Sequence, residues 1–158
     1  MPDWQDLNLA KETYGTLCRT LDAKNWPYTK QKEKLMLHCG ARGEDLAIDI
    51  TFVLDPERML ILVMSPMPFT VPEDKRLDTA IAVSTLNNRM AHGCFDFDLD
   101  TGKMFYRMCN SFIESQIGEE LFEYLLMATC GMVDKYNDKL LMLSEGKISL
   151  QQFLDMWP

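Results

Sequence analysis

The stretch LAIDITFVL, residues 46–54, constrains the fold more than any other. Leu46, Ile48, Ile50, Phe52 and Leu54 fall on one face of an extended chain, while Asp49 and Thr51 fall on the other. That alternation predicts a strand with one face in a core. DPER (55–58) follows as a tight turn, with Pro56 suited to its first central position. The next strand, MLILVMS (59–65), is apolar on both faces. It is expected to lie centrally and to be covered on both sides.

The remaining elements are placed around this pair. Leu7, Ala10, Tyr14, Leu17, Cys18 and Leu21 recur at helical spacing and predict a helix over 4–24, stopped at NWPY by Pro27. A first strand is expected over 33–40, and the cluster Lys30, Lys32 and Lys34 is taken as a solvated strand end. Pro72 opens a helix over 72–90, with Glu73 and Asp74 in its first turn and Leu77, Ala80, Ile81 and Ser84 as its buried stripe. Asn87 and Asn88, near its end, are given a structural role: capping it or bonding the next loop. Two further strands are expected at 93–100 and 103–110, and a long helix at 118–143. Ser149 and Gln152 form a capping-box pattern for a last helix that keeps Leu150, Phe153, Leu154 and Trp157 as apolar contacts.

The order is α-β-β-β-α-β-β-α plus a tail helix. Short turns between strands imply antiparallel pairing. The expected architecture is therefore α+β, with an antiparallel sheet of about five strands and helices packed on it. It forms one domain over residues 1–158, of which 149–157 are the short C-terminal helix.

CFDFDLDTGK (94–103) has the outline of a calcium loop, with Asp96, Asp98 and Asp100 two apart. An EF-hand needs glycine at position 6 and a bidentate glutamate at position 12. Counted from Asp96, those positions hold Thr101 and Arg107. A hairpin turning at Thr101–Gly102 explains the stretch better. It sets Asp100 opposite Lys103, Leu99 opposite Met104, Phe97 opposite Tyr106, Asp96 opposite Arg107 and Phe95 opposite Met108. The same register sets Cys94 opposite Cys109, although a disulfide is not expected in a cytoplasmic protein.

Chemistry is otherwise sparse. The five cysteines follow no framework spacing and are expected to be free buried thiols, with the twelve methionines largely core filler. His38 and Cys39 point to opposite faces of one strand and cannot readily share a zinc ion. No phosphate-binding glycine loop, nucleophile elbow or zinc-protease motif occurs. Glu119 and Glu120 are accounted for by favourable charge at a helix start. No catalytic, cofactor-binding or metal-binding residue is assigned. The net charge of −8 disfavours nucleic acid. No apolar run is long enough to span a membrane and no signal peptide is seen, so the expected location is cytoplasmic.

Three stretches carry a resemblance: PFTVPEDKR (68–76), LNNRMAHGCFDFDLDTGKMFYR (86–107) and the long helix after them. Val71, Pro72, Glu73 and Arg76, then Asn87 or Asn88, Gly93, Phe95, Gly102, Tyr106 and Arg107, are similar to the pattern of the bacterial YbjN-like family, often labelled sensory-transduction regulators. The tail ISLQQFLDMW departs from the matching part. The resemblance implies a fold like that of the class I chaperones of type III secretion, which are small, acidic, often dimeric proteins that bind extended client segments. The expected function is a non-enzymatic protein-binding module of chaperone or regulatory-adaptor type. It is expected to be a homodimer with a protein or peptide partner, and Phe69, Tyr106 and Arg107 are its surface candidates. The alternative is an enzyme or small-ligand binder with a site between sheet and helices.

Overall fold

A computed structural model describes residues 4–156. Helix α1 (Trp4–Ala23) is followed by β1 (Tyr28–Gln31), β2 (Met36–Arg42), β3 (Ala47–Asp55) and β4 (Leu60–Pro66). Helix α2 (Arg76–Asn87), strands β5 (Cys94–Phe97) and β6 (Met104–Ser111), and helices α3 (Glu119–Ser144) and α4 (Leu150–Asp155) complete the chain. The architecture is α+β, and the sheet has six antiparallel strands in the order β1-β2-β3-β4-β6-β5.

The sixth strand is β1, in a region read from sequence as a helix stop and a strand end. α1 closes with left-handed Asn25 (φ 51°), and the Trp26 N–H bonds back to the Leu21 carbonyl at 2.9 Å. This helix-ending geometry turns the chain early enough to leave room for a short edge strand. Lys32–Lys34 form a single 3-10 turn ending at left-handed Leu35, so β2 begins at Met36 rather than at residue 33. Strand β3 keeps the expected alternation, with Ile48, Ile50, Phe52 and Leu54 buried, and β4 is central.

The helices cover one face of the sheet. Phe122 of α3 meets Phe52 edge-on at 6.5 Å, Tyr136 meets Phe95 at 6.0 Å, and the Thr129 hydroxyl reaches the Met108 sulfur. Tyr14 of α1 donates to the Met36 carbonyl at 3.0 Å. The core comprises this sheet face and the inward sides of α1, α2 and α3.

Helix α2 turns differently from expectation. Thr79, Ala82, Val83 and Leu86 are buried, whereas Leu77, Ile81 and Ser84 are exposed. Both quartets have the spacing of one helix face and both are mainly apolar, so periodicity alone cannot choose between them. Packing of α2 against β5, α3 and α4 selects the first. The capping box at Ser149 is present: Gln152 and Ser149 exchange side-chain and backbone bonds at 2.8 and 3.2 Å. Phe153 is buried there, and Trp157 lies outside the described residues.

Candidate functional site: a bare sheet face

The register of β5 and β6 is offset by two residues from the expected hairpin. Cys94 faces Arg107, Phe95 faces Tyr106, Asp96 faces Phe105 and Phe97 faces Met104. The turn is accordingly longer than Thr101–Gly102. Its control lies in Asp98, whose carboxylate accepts from the Asp100 N–H at 2.9 Å and from the Thr101 hydroxyl at 2.7 Å. These bonds hold the Asp98 carboxyl below the usual carboxylate range. These are the side-chain-to-backbone bonds by which aspartate favours turns, and here they span the four-residue loop.

An offset of two preserves which face each residue occupies. Asp96 and Arg107 therefore still meet, now diagonally, through a two-pronged pair at 2.5 and 3.2 Å. Arg107 also donates to the Cys94 sulfur at 3.5 Å. Asp100 and Lys103 form no ion pair among the described residues, and Leu99 is exposed. Cys94 and Cys109 are not opposite one another, and both are free thiols. No group of three or more His, Cys, Asp or Glu side chains gathers to hold a metal ion among the described residues.

The stretches that carry the family resemblance converge on this hairpin as a brace. The Val71 N–H donates to the Gly102 carbonyl at 2.9 Å. Arg76 donates to the carbonyls of Leu99 and Asp100 at 3.1 and 2.8 Å. Asn87 holds Phe95 by two bonds of 2.8 Å, so its structural role is to bond the following strand. Tyr106 donates to the His92 carbonyl at 3.0 Å.

That brace relocates one surface candidate. Tyr106 is fully buried, and burial pushes its hydroxyl pKa up to about 12. It was expected on the surface; it lies instead on the face that the helices cover. Arg107 and Phe69 do reach the surface. Phe69 is half-buried and, with Phe105, Lys103 and Pro68, lines a shallow hollow of about 390 Å³.

Arg107 stands on the sheet face opposite the helices, and that face is the principal feature of the molecule. The strand register sets Met36, Val53, Leu62 and Cys109 in one row across four strands. The next row is His38, Thr51, Met64, Arg107 and Cys94. None of these side chains is fully buried. A sheet face open to water ordinarily alternates to polar residues. Here its centre holds valine, leucine, methionine and cysteine. β4 was expected to be covered on both sides, and among the described residues only the helix side is covered. The feature missed from sequence was this row. Its signal was the apolar character of MLILVMS at both parities, repeated in MFYRMC of β6.

Two further hollows indent the surface. One, of about 590 Å³, lies beside α1 and the loop before α3, and one of about 290 Å³ lies between α2 and the end of β5. The layer between sheet and helices is filled by buried side chains, including Phe52, Phe95, Phe122 and Tyr106. No helix among the described residues is long and apolar enough to cross a membrane.

No family model and no curated protein matches the sequence. Solved structures do match the fold. The crystal structure of YbjN from E. coli aligns with TM-score 0.58 and 17% identity, over 80% of this chain and 92% of that one. The ExsC–ExsE complex aligns with TM-score 0.60 and 18% identity, over 82% of this chain and 93% of that one. The HopA1–SchA chaperone–effector complex aligns with TM-score 0.54 and 14% identity, over 86% of this chain and 98% of that one. This chain thus has the fold shared by YbjN and by chains of these two complexes, as the resemblance in its sequence implied.

Proposed function

We propose that this protein is a non-enzymatic protein-binding module of chaperone or regulatory-adaptor type, cytoplasmic and homodimeric. The observation that carries this reading is the bare sheet face. Its half-buried apolar rows contradict a fully solvated role, and contiguous apolar surface marks an interaction site. A partner segment lying across Val53, Leu62 and Met64 gives β4 the second cover that its sequence calls for. Arg107 and Phe69, on the face and beside it, are the contact candidates retained from the sequence.

Two of the structures that share the fold are complexes of two proteins, one of them named as chaperone and effector, which supports a protein as the partner. The alternative of an enzyme or small-ligand site between sheet and helices draws no support from that layer, since large side chains fill it.

The test is a paired capture. Wild-type protein and a Leu62→Lys/Met64→Lys variant are immobilised and exposed to native lysate, and retained proteins are identified by mass spectrometry. Both side chains are half-buried on the open face and Met64 pairs with Arg107, so a circular dichroism spectrum and thermal melt of the variant accompany the capture to show that it is folded at the temperature used. The reading predicts discrete proteins retained by the wild type and lost by the variant. Retention of the same proteins by both would place binding elsewhere.

A further inference from the structure

The homodimer reading above leaves the contact surface open, and the outer side of α3 carries an unexplained pattern. Tyr124 and Met127 are 48% and 51% exposed, large apolar side chains on a helix that already buries another face. Glu120, Gly131 and Lys135 are exposed in line with them. At 3.6 residues per turn the five positions fall in a stripe about 80° wide. Gly131 sits in the middle of a 26-residue helix. Glycine is the poorest helix former after proline, and a Cβ at this position would meet nothing within 4 Å. No contact among the described residues explains it.

The stripe is complementary to itself. We propose that α3 is the contact surface for a second copy of this chain, the two helices crossing antiparallel about a twofold axis between Met127 and Ala128. That axis sets Tyr124 of one copy over Gly131 of the other, a large side chain into the gap left by a missing one. It sets Glu120 opposite Lys135, an acid opposite a base, and each match occurs twice in an isologous contact. Glu120 makes no ion pair among the described residues. Lys135 makes none either, and its ammonium lies over the Tyr136 ring, 5.0 Å from the centroid. Tyr124 is held in place before any contact: the His92 ring stacks on it at 5.6 Å and 12°, and His92 Nδ1 is 3.0 Å from its hydroxyl. An anchor already fixed in direction loses little freedom on docking. The opposite-charge matches also offset the repulsion between two chains of net charge −8.

The experiment is light scattering with sedimentation equilibrium across the micromolar range, on the whole chain. Wild type is expected as a dimer. Gly131→Leu fills the gap and is expected to be monomeric while remaining folded, because leucine favours the helix, and its melting temperature is expected to lose the dependence on protein concentration that a dimer shows. Glu120→Lys is expected to weaken the dimer at least tenfold, and Glu120→Lys/Lys135→Glu to restore it, an exchange that a merely structural role would not rescue. A wild-type dimer that all three variants leave intact overturns the α3 contact while leaving the homodimer reading standing. A wild type that is monomeric throughout overturns both.

Discussion

Asn87 and Phe95 are joined as two strands would be. The Asn87 side-chain amide donates to the Phe95 carbonyl, and its oxygen accepts from the Phe95 N–H, each at 2.8 Å. β5 is an edge strand, and one side chain from α2 closes its outward hydrogen-bonding pair at that point. An open strand edge invites pairing with other chains. Asn87→Ala is expected to cost about 1–3 kcal/mol by leaving two backbone groups short of partners. Asn87→Asp is expected to cost at least as much, since a carboxylate cannot donate to the Phe95 carbonyl. Urea denaturation checks the ranking.

The two left-handed glycines of the hairpin are expected to differ sharply from a third. A Cβ at Gly93 (φ +81°) would collide with the Tyr106 hydroxyl, and one at Gly102 (φ +73°) with the Val71 carbonyl. Gly146 (φ +70°) meets only the flexible end of Lys75, at 3.3 Å. The backbone conformation alone costs alanine about 1–2 kcal/mol. Gly146→Ala is expected near that value. Gly93→Ala and Gly102→Ala are expected to exceed it, because tyrosine or backbone must move. Thermal melts of the three variants test the order.

Asp98 gives the hairpin a one-sided pH response. Its carboxyl sits below the ordinary range in the folded chain because hydrogen bonds favour the charged form. Its contribution is therefore complete above the unfolded carboxylate pKa of about 3.9 and is lost as pH falls through the lower folded value. Asp98→Ala is expected to abolish that component and to raise amide exchange at Asp100 and Thr101. Exchange at those two amides that stays unchanged in the variant would refute the capping role.

Cys39 is expected to be the slowest thiol to alkylate. It is buried, and burial together with the nearby Cys130 pushes its pKa to about 12. The thiolate is the reactive species, so little forms at neutral pH. Mass-resolved labelling is expected to modify Cys109 before Cys39, and to reach Cys39 at full rate only in denaturant.

Much of the sheet was legible because period two is hard to mimic: Ile48, Ile50, Phe52 and Leu54 are buried as their alternation required. What escaped was decided by contacts distant in sequence. The hairpin register followed Asp98, a side chain whose capping bonds no strand pattern encodes. The burial of α2 was a choice between two equivalent stripes. Tyr106 read as a surface aromatic at a hairpin end, yet the Phe95 ring 5.2 Å away and the His92 carbonyl enclose it. The bare face was present in sequence as an apolar strand, but only the helix packing revealed that one of its two sides has no cover among the described residues.

The order β4-β6-β5 makes that face a joint product of both halves of the chain. Leu62 pairs with Cys109, which lies beyond α2 and β5 in the chain. The β2–β4 meander by itself lacks the last strand of the row. A partner spanning the whole row therefore recognises the completed sheet and not its first half. By mass action, its binding energy is added to the stability of the entire chain, so loss of such a partner would lower the melting point of both halves together.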